Sequence, residues 1–195
     1  MNSSLPCRGG DGNPWLTTMI DGTAAAAAFD AILAARSPWL AVRPEVTADS
    51  PFLRALFLAA NPLAGLLPPV LLEHQADIRL ASFRVNYPQA MGRIFEVDAS
   101  PIGRFIVDWT APEGSLGVDL AVRAEYRRRG VASAALEAWK AVADSHGLAC
   151  ALTVLPDNPA RQLYARLGFV EAPHRQFDAG VRMFRPASRE PGGSP

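Results

Sequence analysis

Cysteine is scarce in this sequence, and neither sign of charge dominates it. The 195 residues contain two cysteines, Cys7 and Cys150, which are too few for a disulfide framework. The 19 basic and 19 acidic side chains balance. This balance argues against broad nucleic-acid binding, because gripping a phosphate backbone needs a basic excess. The 3 histidines lie far apart, without the spacing of metal ligands, so no metal site is expected.

The sequence also lacks an apolar leader and an uninterrupted apolar segment of membrane-spanning length. Residues 55–72 contain no charged side chain, which approaches the length of a transmembrane helix. However, Pro62, Gly65, Pro68 and Pro69 interrupt this stretch, and a proline inside a helix removes a backbone hydrogen bond. We therefore expect two helical segments joined by a turn, no membrane association and a cytoplasmic protein.

The composition is that of a folded protein. Hydrophobic residues make up 49% of the chain, which excludes a highly charged disordered chain. The predicted main domain spans residues 38–187. Residues 1–37 are predicted to be an extension that is either poorly ordered or a short alanine-rich helix, and residues 188–195 a disordered tail.

The predicted elements alternate between strands and helices. Between residues 131 and 146 the apolar residues recur at the helical period, and Gly147 is placed to end that helix. The alternation indicates an α/β (or α+β) class with a mixed sheet. Strands are predicted at 39–43, 92–97, 102–109, 116–122, 150–155, 169–172 and 181–185, and helices at 47–60, from 68 or 69 to 86, 131–146 and 159–167.

The strongest local signal is the segment Arg-Arg-Arg-Gly-Val-Ala at residues 127–132, between a predicted strand and a predicted helix. Gly130 permits backbone torsions that a side chain forbids, and the small Ala132 lets a ligand approach the first helical turn. The free N–H groups of a helix N-terminus carry partial positive charge and bind phosphates. With the three arginines they predict a cradle for a pyrophosphate group. The alternative is a basic surface turn.

Together with two further segments, this loop resembles the GNAT superfamily of N-acetyltransferases. Residues 127–132 fit the R-x-x-G-x-A form of the superfamily's cofactor loop, and residues 118–122 are similar to its fourth strand. Residues 158–169 are similar to its N-x-x-A-x-x-[LF]-Y-x-x-x-G-F segment. The resemblance covers about residues 39–186. It implies a strongly twisted mixed sheet of about seven strands with helices on both faces, splayed between the fourth and fifth strands.

The resemblance implies acetyl transfer from acetyl-CoA to a primary amine by direct attack, without a metal or a covalent enzyme intermediate. The backbone N–H of Ala121 or Val122 is expected to polarise the thioester carbonyl. The cofactor-binding residues carried over onto this sequence are Leu120, Ala121, Val122, Arg127, Arg128, Arg129, Gly130, Val131, Ala132, Ser133, Asn158, Ala160 and Tyr164.

The resemblance also implies an acid and a base. Tyr164 is the candidate acid for the leaving thiolate, because a phenol is protonated at neutral pH; a packing aromatic is the alternative. Asn158 is expected to cap its helix and to face the pantetheine arm. Asp119 is the candidate base, unless it is paired with an arginine. The remaining candidates for the base are a water chain and the other carboxylates of the strand region, Glu96, Asp98 and Asp108.

Several questions stay open in the sequence. The acceptor is either a small-molecule amine or a protein amine, and the protein is a monomer or a homodimer. A non-catalytic acyl-CoA-binding or regulatory module of the same fold is the main alternative to an enzyme. A scaffold that uses the fold only for protein contacts is a weaker one.

Overall fold

A computed structural model describes residues 20–61, 65–112, 114–172 and 180–188. Cys7 and His174 lie outside the described residues. The described α-helices are α1 (Gly22–Arg36), α2 (Ser50–Ala60), α3 (Pro69–Asn86), α4 (Val131–Ser145) and α5 (Ala160–Arg166). The described strands are β1 (Ala41–Pro44), β2 (Met91–Val97), β3 (Ser100–Asp108), β4 (Ser115–Val122), β5 (Cys150–Val154), β6 (Val170–Glu171) and β7 (Val181–Arg185).

The seven strands form one mixed sheet in the order β1-β2-β3-β4-β5-β7-β6. Strands β4 and β5 pair in parallel, whereas the other neighbouring strands are antiparallel. The predicted α/β class with a mixed sheet of about seven strands is confirmed. The parallel pair lies at the centre of the sheet, so the chain crosses over through α4 between β4 and β5.

Helices cover both faces of the sheet, because neighbouring strand residues point to opposite sides. On one face, the Phe105 ring of β3 lies 6.0 Å from the Phe29 ring of α1 and 5.7 Å from the Trp139 ring of α4. On the other face, the Arg104 guanidinium lies 4.9 Å from the centre of the Phe83 ring of α3. The main apolar core is therefore on the side of α1 and α4, and a charged side chain lies beneath α3.

Helix α1 shares this core. Asp21 accepts a hydrogen bond from the Thr23 N–H at 2.8 Å and so caps the helix. Phe29 and Leu33 are completely buried against the sheet and α4. The alanines let α1 approach α4 closely, and the two large side chains supply the apolar contact area.

Several element boundaries differ from the sequence prediction. The hairpin between β2 and β3 turns on Asp98 and Ala99 alone, both with positive φ (49° and 57°), so β3 begins at Ser100. The segment from Thr47 starts as a single 3-10 turn before α2 begins at Ser50. The strand predicted at 150–155 ends at Val154, and Leu155 is exposed.

The uncharged stretch at 55–72 is divided between the end of α2 and the start of α3, as predicted. Within the part of the chain that the structure describes, no helix combines the length and the hydropathy needed to cross a membrane.

The ion pair between Arg43 and Asp49 anchors the segment that leads into α2. The Arg43 Nη1 and Nη2 atoms donate to the two carboxylate oxygens of Asp49 at 2.8 and 2.7 Å, and the Val46 N–H donates to Asp49 at 2.9 Å. The Asp49 side chain is only 8% exposed. The hydrogen bonds from Arg43 lower the pKa of the Asp49 carboxyl.

We expect Asp49→Ala to lower the free energy of unfolding at pH 7 by about 2 kcal/mol, because a charged acceptor is lost from three donors. Urea unfolding measures this difference. Since pairing lowers the folded-state pKa of Asp49, the stabilisation is complete above the unfolded pKa of about 4 and is lost as the pH falls through the folded value.

The matched control is Asp77→Ala, which removes an exposed ion pair with Arg54 of 2.6 Å. We expect this control to change stability by less than about 1 kcal/mol. An equal loss of unfolding free energy in the two variants would contradict the role of Asp49. So would a difference in unfolding free energy between wild type and Asp49→Ala that grows below pH 4.

Candidate active site

A cleft opens where β4 leaves β5. The two strands pair only through Ser115, Gly117 and the residue between them. On its other side, β4 follows β3 as far as Val122, with a bulge at Val118, which has no partner on β3. Because β3 holds the second half of β4 while β5 does not, β4 and β5 splay apart after Gly117.

The register of β4 decides which backbone groups face the cleft. The Arg123 N–H donates to the Ile102 carbonyl at 2.8 Å, so these two opposite residues form a hydrogen-bonded pair of the antiparallel ladder. Such pairs alternate along the strands, and the next one towards the start of β4 is Ala121 with Arg104. Ala121 therefore directs its N–H towards β3, whereas Leu120 and Val122 direct theirs towards the cleft. Of the two donors predicted for the thioester carbonyl, Val122 has the required direction and Ala121 does not.

The segment 127–132, which we call the arginine-glycine loop, leads into the uncapped N-terminus of α4. Gly130 precedes α4 with φ 88° and ψ −5°, and no side chain of the residues that the structure describes caps the helix. Arg128 also has a positive φ, of 64°. The N–H groups of the first turn of α4 are thus left for a ligand, and loops with such torsions form anion-binding concavities.

A groove of about 510 Å³ lies against this helix end, and we call it the loop groove. It lies between the arginine-glycine loop and α5, with Val122 at its inner end. The predicted cofactor residues that line it are Val122, Arg127, Arg128, Gly130, Val131, Ala132, Ser133 and Ala160.

The positive charge of the loop is largely uncompensated. Arg123 pairs with Glu125 at 2.6 Å, but none of the carboxylates in the described residues pairs with the three arginines at 127–129. Arg127 Nε donates to the Val122 carbonyl at 3.0 Å, and the Arg129 guanidinium lies 5.2 Å from the Tyr126 ring centre. Arg127 thereby ties the loop to the cleft side of β4.

Tyr164 lies in a second cavity, further into the cleft, of about 190 Å³, which we call the cleft cavity. Asp119, Leu120 and Asn158 also line it. Burial, and then the negative charge of Asp119, raise the pKa of the Tyr164 hydroxyl to about 12. The phenol therefore keeps its proton at neutral pH, which suits a proton donor and not a base.

The packing alternative for Tyr164 also has support. Its ring lies 6.0 Å from Phe169, which in turn lies 5.7 Å from Trp139 of the core. These contacts hold the ring in place, and Tyr164 also lines the cleft cavity. Asn158 caps the following helix as predicted, because its side-chain oxygen accepts from the Ala160 N–H at 2.9 Å, although α5 starts one residue later than expected.

Asp119 forms ion pairs with two arginines. The sequence left this pairing open as the alternative to the role of a general base. Arg104 Nη2 donates to it at 2.8 Å, and Arg79 Nη2 lies 3.4 Å from its other oxygen. Arg104 is only 6% exposed and also lies 3.6 Å from Glu45. Asp119 nonetheless lies in the cleft cavity, so its position fits a base while its partners compete for the carboxylate.

The other carboxylates considered as bases lie away from the cleft cavity. Glu96 accepts from Arg43 at 2.8 Å, and Asp108 accepts from the Thr110 N–H at 2.9 Å. Asp98 forms the β2–β3 turn. Among the described residues that line the cleft cavity, Asp119 is the one carboxylate.

A third cavity of about 400 Å³ lies between α2, α3 and β4, and we call it the helix cavity. It shares Arg79, Asp119, Leu120 and Leu155 with the cleft cavity, so the two adjoin. Sequence reasoning missed this contribution of α2, and it missed Arg104. The signal that could have identified Arg104 is its position as a lone basic residue inside the apolar run of β3.

Cys150 is a buried structural thiol. Ser115 Oγ lies 3.7 Å from its sulfur, and burial raises the pKa of the thiol to about 11. The thiolate needed for nucleophilic attack is therefore disfavoured. Cys150 lines neither the cleft cavity nor the loop groove.

Part of the chain matches a known protein family. Residues 92–171 match the family model of the "Acetyltransferase (GNAT) domain". This range spans β2 to β6 and contains the loop, the cleft and α5. No curated protein sequence matches the chain.

Solved structures share the fold. The PaiA N-acetyltransferase of Thermoplasma acidophilum, in complex with coenzyme A, has a TM-score of 0.60 at 16% identity, over 75% of this chain and 98% of that one. An acetyltransferase from Thermus thermophilus has a TM-score of 0.57 at 22% sequence identity, over 75% of this chain and 96% of that one. The ribosomal-protein-S18-alanine N-acetyltransferase of Escherichia coli has a TM-score of 0.56 at 21% sequence identity, over 77% of this chain and 96% of that one. At these identities the likeness shows the fold.

Proposed function

We propose that this chain, whose residues 92–171 match the GNAT acetyltransferase domain, is an acetyltransferase that transfers the acetyl group of acetyl-CoA to a primary amine by direct attack. The observation that carries the proposal is the sequence of cavities along β4. Val122 lines the loop groove, and Leu120 lines both the cleft cavity and the helix cavity. A cofactor arm and an acceptor entering from opposite ends would meet beside Tyr164.

The loop groove fits the diphosphate of acetyl-CoA, which supplies the activated thioester. The uncapped N–H groups of Val131, Ala132 and Ser133 would donate to phosphate oxygens, and Arg127 and Arg128 would neutralise the phosphate charge, whereas Arg129 does not line the groove. A Cβ added at Gly130 would meet no atom within 4 Å, so the glycine leaves open space at the groove. Asn158 and the cleft-facing groups of Leu120 and Val122 would orient the pantetheine arm.

The residues of the cleft have complementary roles in the transfer. The Val122 N–H would donate to the carbonyl oxygen as negative charge develops there. Asp119, directly or through water, would take the proton released as the amine nitrogen bonds to the acetyl carbon. As the C–S bond breaks, the Tyr164 hydroxyl would give its proton to the sulfur, and solvent would restore it.

The alternatives are a module that binds acyl-CoA without catalysis and a scaffold. A cavity that adjoins Tyr164 on the far side from the loop favours an enzyme, because a binding module needs no acceptor site. Thermal unfolding with acetyl-CoA separates the scaffold from the others: we expect a rise of the melting temperature by binding linkage, and no rise at millimolar acetyl-CoA would contradict the cofactor assignment.

Direct attack predicts that Cys150 never carries the acetyl group. We expect the intact protein, mixed with acetyl-CoA in the absence of an amine and quenched within seconds, to show no added acetyl mass on its thiols. The buried thiol with its raised pKa is the physical reason. An acetylated Cys150 that forms and then decays on addition of an amine would contradict direct attack and indicate a covalent intermediate.

A further inference from the structure

We propose that the acceptor is an apolar α-amino acid, bound in the helix cavity with its side chain against α2 and its ammonium and carboxylate groups at Asp119 and Arg79. This inference rests on the proposed function and names the substrate class of the same site. Three properties of the helix cavity support it: its walls, its charges and its size.

The walls of the helix cavity are mostly apolar. Leu53, Leu56 and Phe57 of α2, Leu80 of α3 and Leu155 line it. Leu155 is 59% exposed, which is unusual for a leucine directly after a buried strand. An apolar group of the acceptor would cover Leu155 and gain the contact area that the folded chain leaves uncovered.

The charged groups lie together where the helix cavity adjoins the cleft cavity, since Arg79 and Asp119 line both. Arg79 Nη2 and the Asp119 carboxylate are 3.4 Å apart, so opposite charges lie side by side. The ammonium and carboxylate of an α-amino acid are separated by a single carbon, so they also lie side by side, with the signs reversed. Such a zwitterion can pair with both side chains at once, which a simple amine cannot do.

Arg79 has hydrogen-bonding capacity to spare. Its guanidinium lies 5.7 Å from the Phe57 ring centre and 5.1 Å from the Phe83 ring centre, and these contacts hold it in place. Among the described residues, Asp119 is the one carboxylate that pairs with Arg79, at 3.4 Å, and the Arg79 side chain is 50% exposed. Arg104, in contrast, is buried and engaged by Asp119 and Glu45. Arg79 is therefore the cation left to receive a carboxylate.

The charge and the volume of the helix cavity disfavour polycationic and large acceptors. Two guanidinium groups and one carboxylate occur among the described residues that line the helix cavity, so polycationic acceptors are disfavoured. A volume of about 400 Å³ is near the lower end for small-molecule sites and fits one amino acid.

The transfer balances for this acceptor. The ammonium first gives one proton to Asp119, which frees the nitrogen lone pair, and the nitrogen loses its second proton as its bond to the acetyl carbon forms and the thioester C–S bond breaks. One proton is balanced by protonation of the leaving sulfur, and the other passes to solvent.

The test is a comparison of kcat/KM for four amines with acetyl-CoA at saturation. We expect leucine to exceed serine, which lacks the apolar side chain, and leucinamide, which lacks the carboxylate, by at least about tenfold each. Spermidine should react more slowly than leucine. A preference for spermidine or serine would overturn the inference and leave the proposed function intact, whereas acetylation of no amine at all would overturn both.

Arg79→Gln separates carboxylate binding from a structural role. We expect it to lower kcat/KM for leucine at least about tenfold, while leucinamide and the dissociation constant of acetyl-CoA stay unchanged. The matched control is Arg36→Gln, because Arg36 is 53% exposed and has one long contact of 3.8 Å to Glu137 on the opposite face of the sheet. It should change neither rate. Equal losses for leucine and leucinamide would show that Arg79 acts only through Asp119 and would overturn its carboxylate role.

Discussion

Gly130→Val is expected to abolish detectable binding of acetyl-CoA while the protein remains folded. The substitution acts twice. Gly130 has φ 88°, which a β-branched residue adopts only under strain, so the loop would change its path before α4. If the loop kept its path, the new methyl groups would occupy the loop groove beside the N–H groups that face it.

The fold should tolerate this change. Apart from its chain neighbours, no atom of the described residues lies within 4 Å of a Cβ built at Gly130, so the new side chain starts in open space and not in the core. We therefore expect a cost in stability of about 1–3 kcal/mol from the backbone torsion alone. Titration calorimetry with acetyl-CoA should show an affinity at least a hundredfold weaker, and circular dichroism should show an unchanged spectrum.

Helix α4 provides the matched control at its other end. Gly147 has φ 65° and likewise meets no atom within 4 Å of a built Cβ. Gly147→Val should cost a similar amount of stability and leave the affinity for acetyl-CoA within about twofold of the wild type. If Gly130→Val retained affinity, the assignment of the loop as a diphosphate cradle would be wrong.

Tyr164→Phe is expected to lower kcat by about two to four orders of magnitude and to leave the affinity for acetyl-CoA nearly unchanged. Loss of a positioned proton donor typically costs this much. The variant keeps the ring and therefore its contact with Phe169. Pre-steady-state kinetics at saturating amine, together with calorimetry for acetyl-CoA, measures the two quantities separately.

The pH dependence gives a second readout of Tyr164. Because its pKa is raised to about 12, the hydroxyl stays protonated where a tyrosine of ordinary pKa near 10 would begin to ionise. We expect kcat of the wild type to show no decrease from tyrosine ionisation up to about pH 10.

The control for Tyr164→Phe is Tyr87→Phe, because Tyr87 lies at the end of α3 and lines neither the loop groove nor the cleft cavity. An equal fall of kcat and affinity in Tyr164→Phe would make Tyr164 a packing residue.

The parts of the site that lie in short contiguous segments are predictable from the sequence. The arginine-glycine loop needs only the residues around Gly130, since the glycine, the helix start and the arginines are neighbours in the chain. Asn158 and Tyr164 are six residues apart and are positioned by one local cap and one short helix. Local chemistry fixes these features, so the amino-acid order alone indicates them.

The parts that depend on register or on distant contacts are not predictable in this way. The choice between Ala121 and Val122 depends on where the β4 bulge falls against β3. The pairing of Asp119 with Arg79 joins positions 40 residues apart, through the packing of α3 on the sheet. The helix cavity needs the relative placement of α2, α3 and β4, which no single segment encodes.

The hairpin at Asp98 and Ala99 shows a different limit. Aspartate adopts a positive φ more readily than most residues, but alanine rarely does. The sequence therefore favoured a longer turn through Pro101, whereas the strand pairing of β2 and β3 imposes the two-residue turn. Here the tertiary structure overrides the local preference of the residue.

If this chain moves the acetyl group of acetyl-CoA onto an amine, each transfer must release one molecule of free coenzyme A. The direct measurement is the release of free thiol from acetyl-CoA, with the amine product quantified in the same reaction. We expect thiol release to rise with amine concentration and to saturate, with one N-acetylated amine formed for each thiol. Thiol release that is independent of the amine, or its absence from protein shown to bind acetyl-CoA, would contradict the claim.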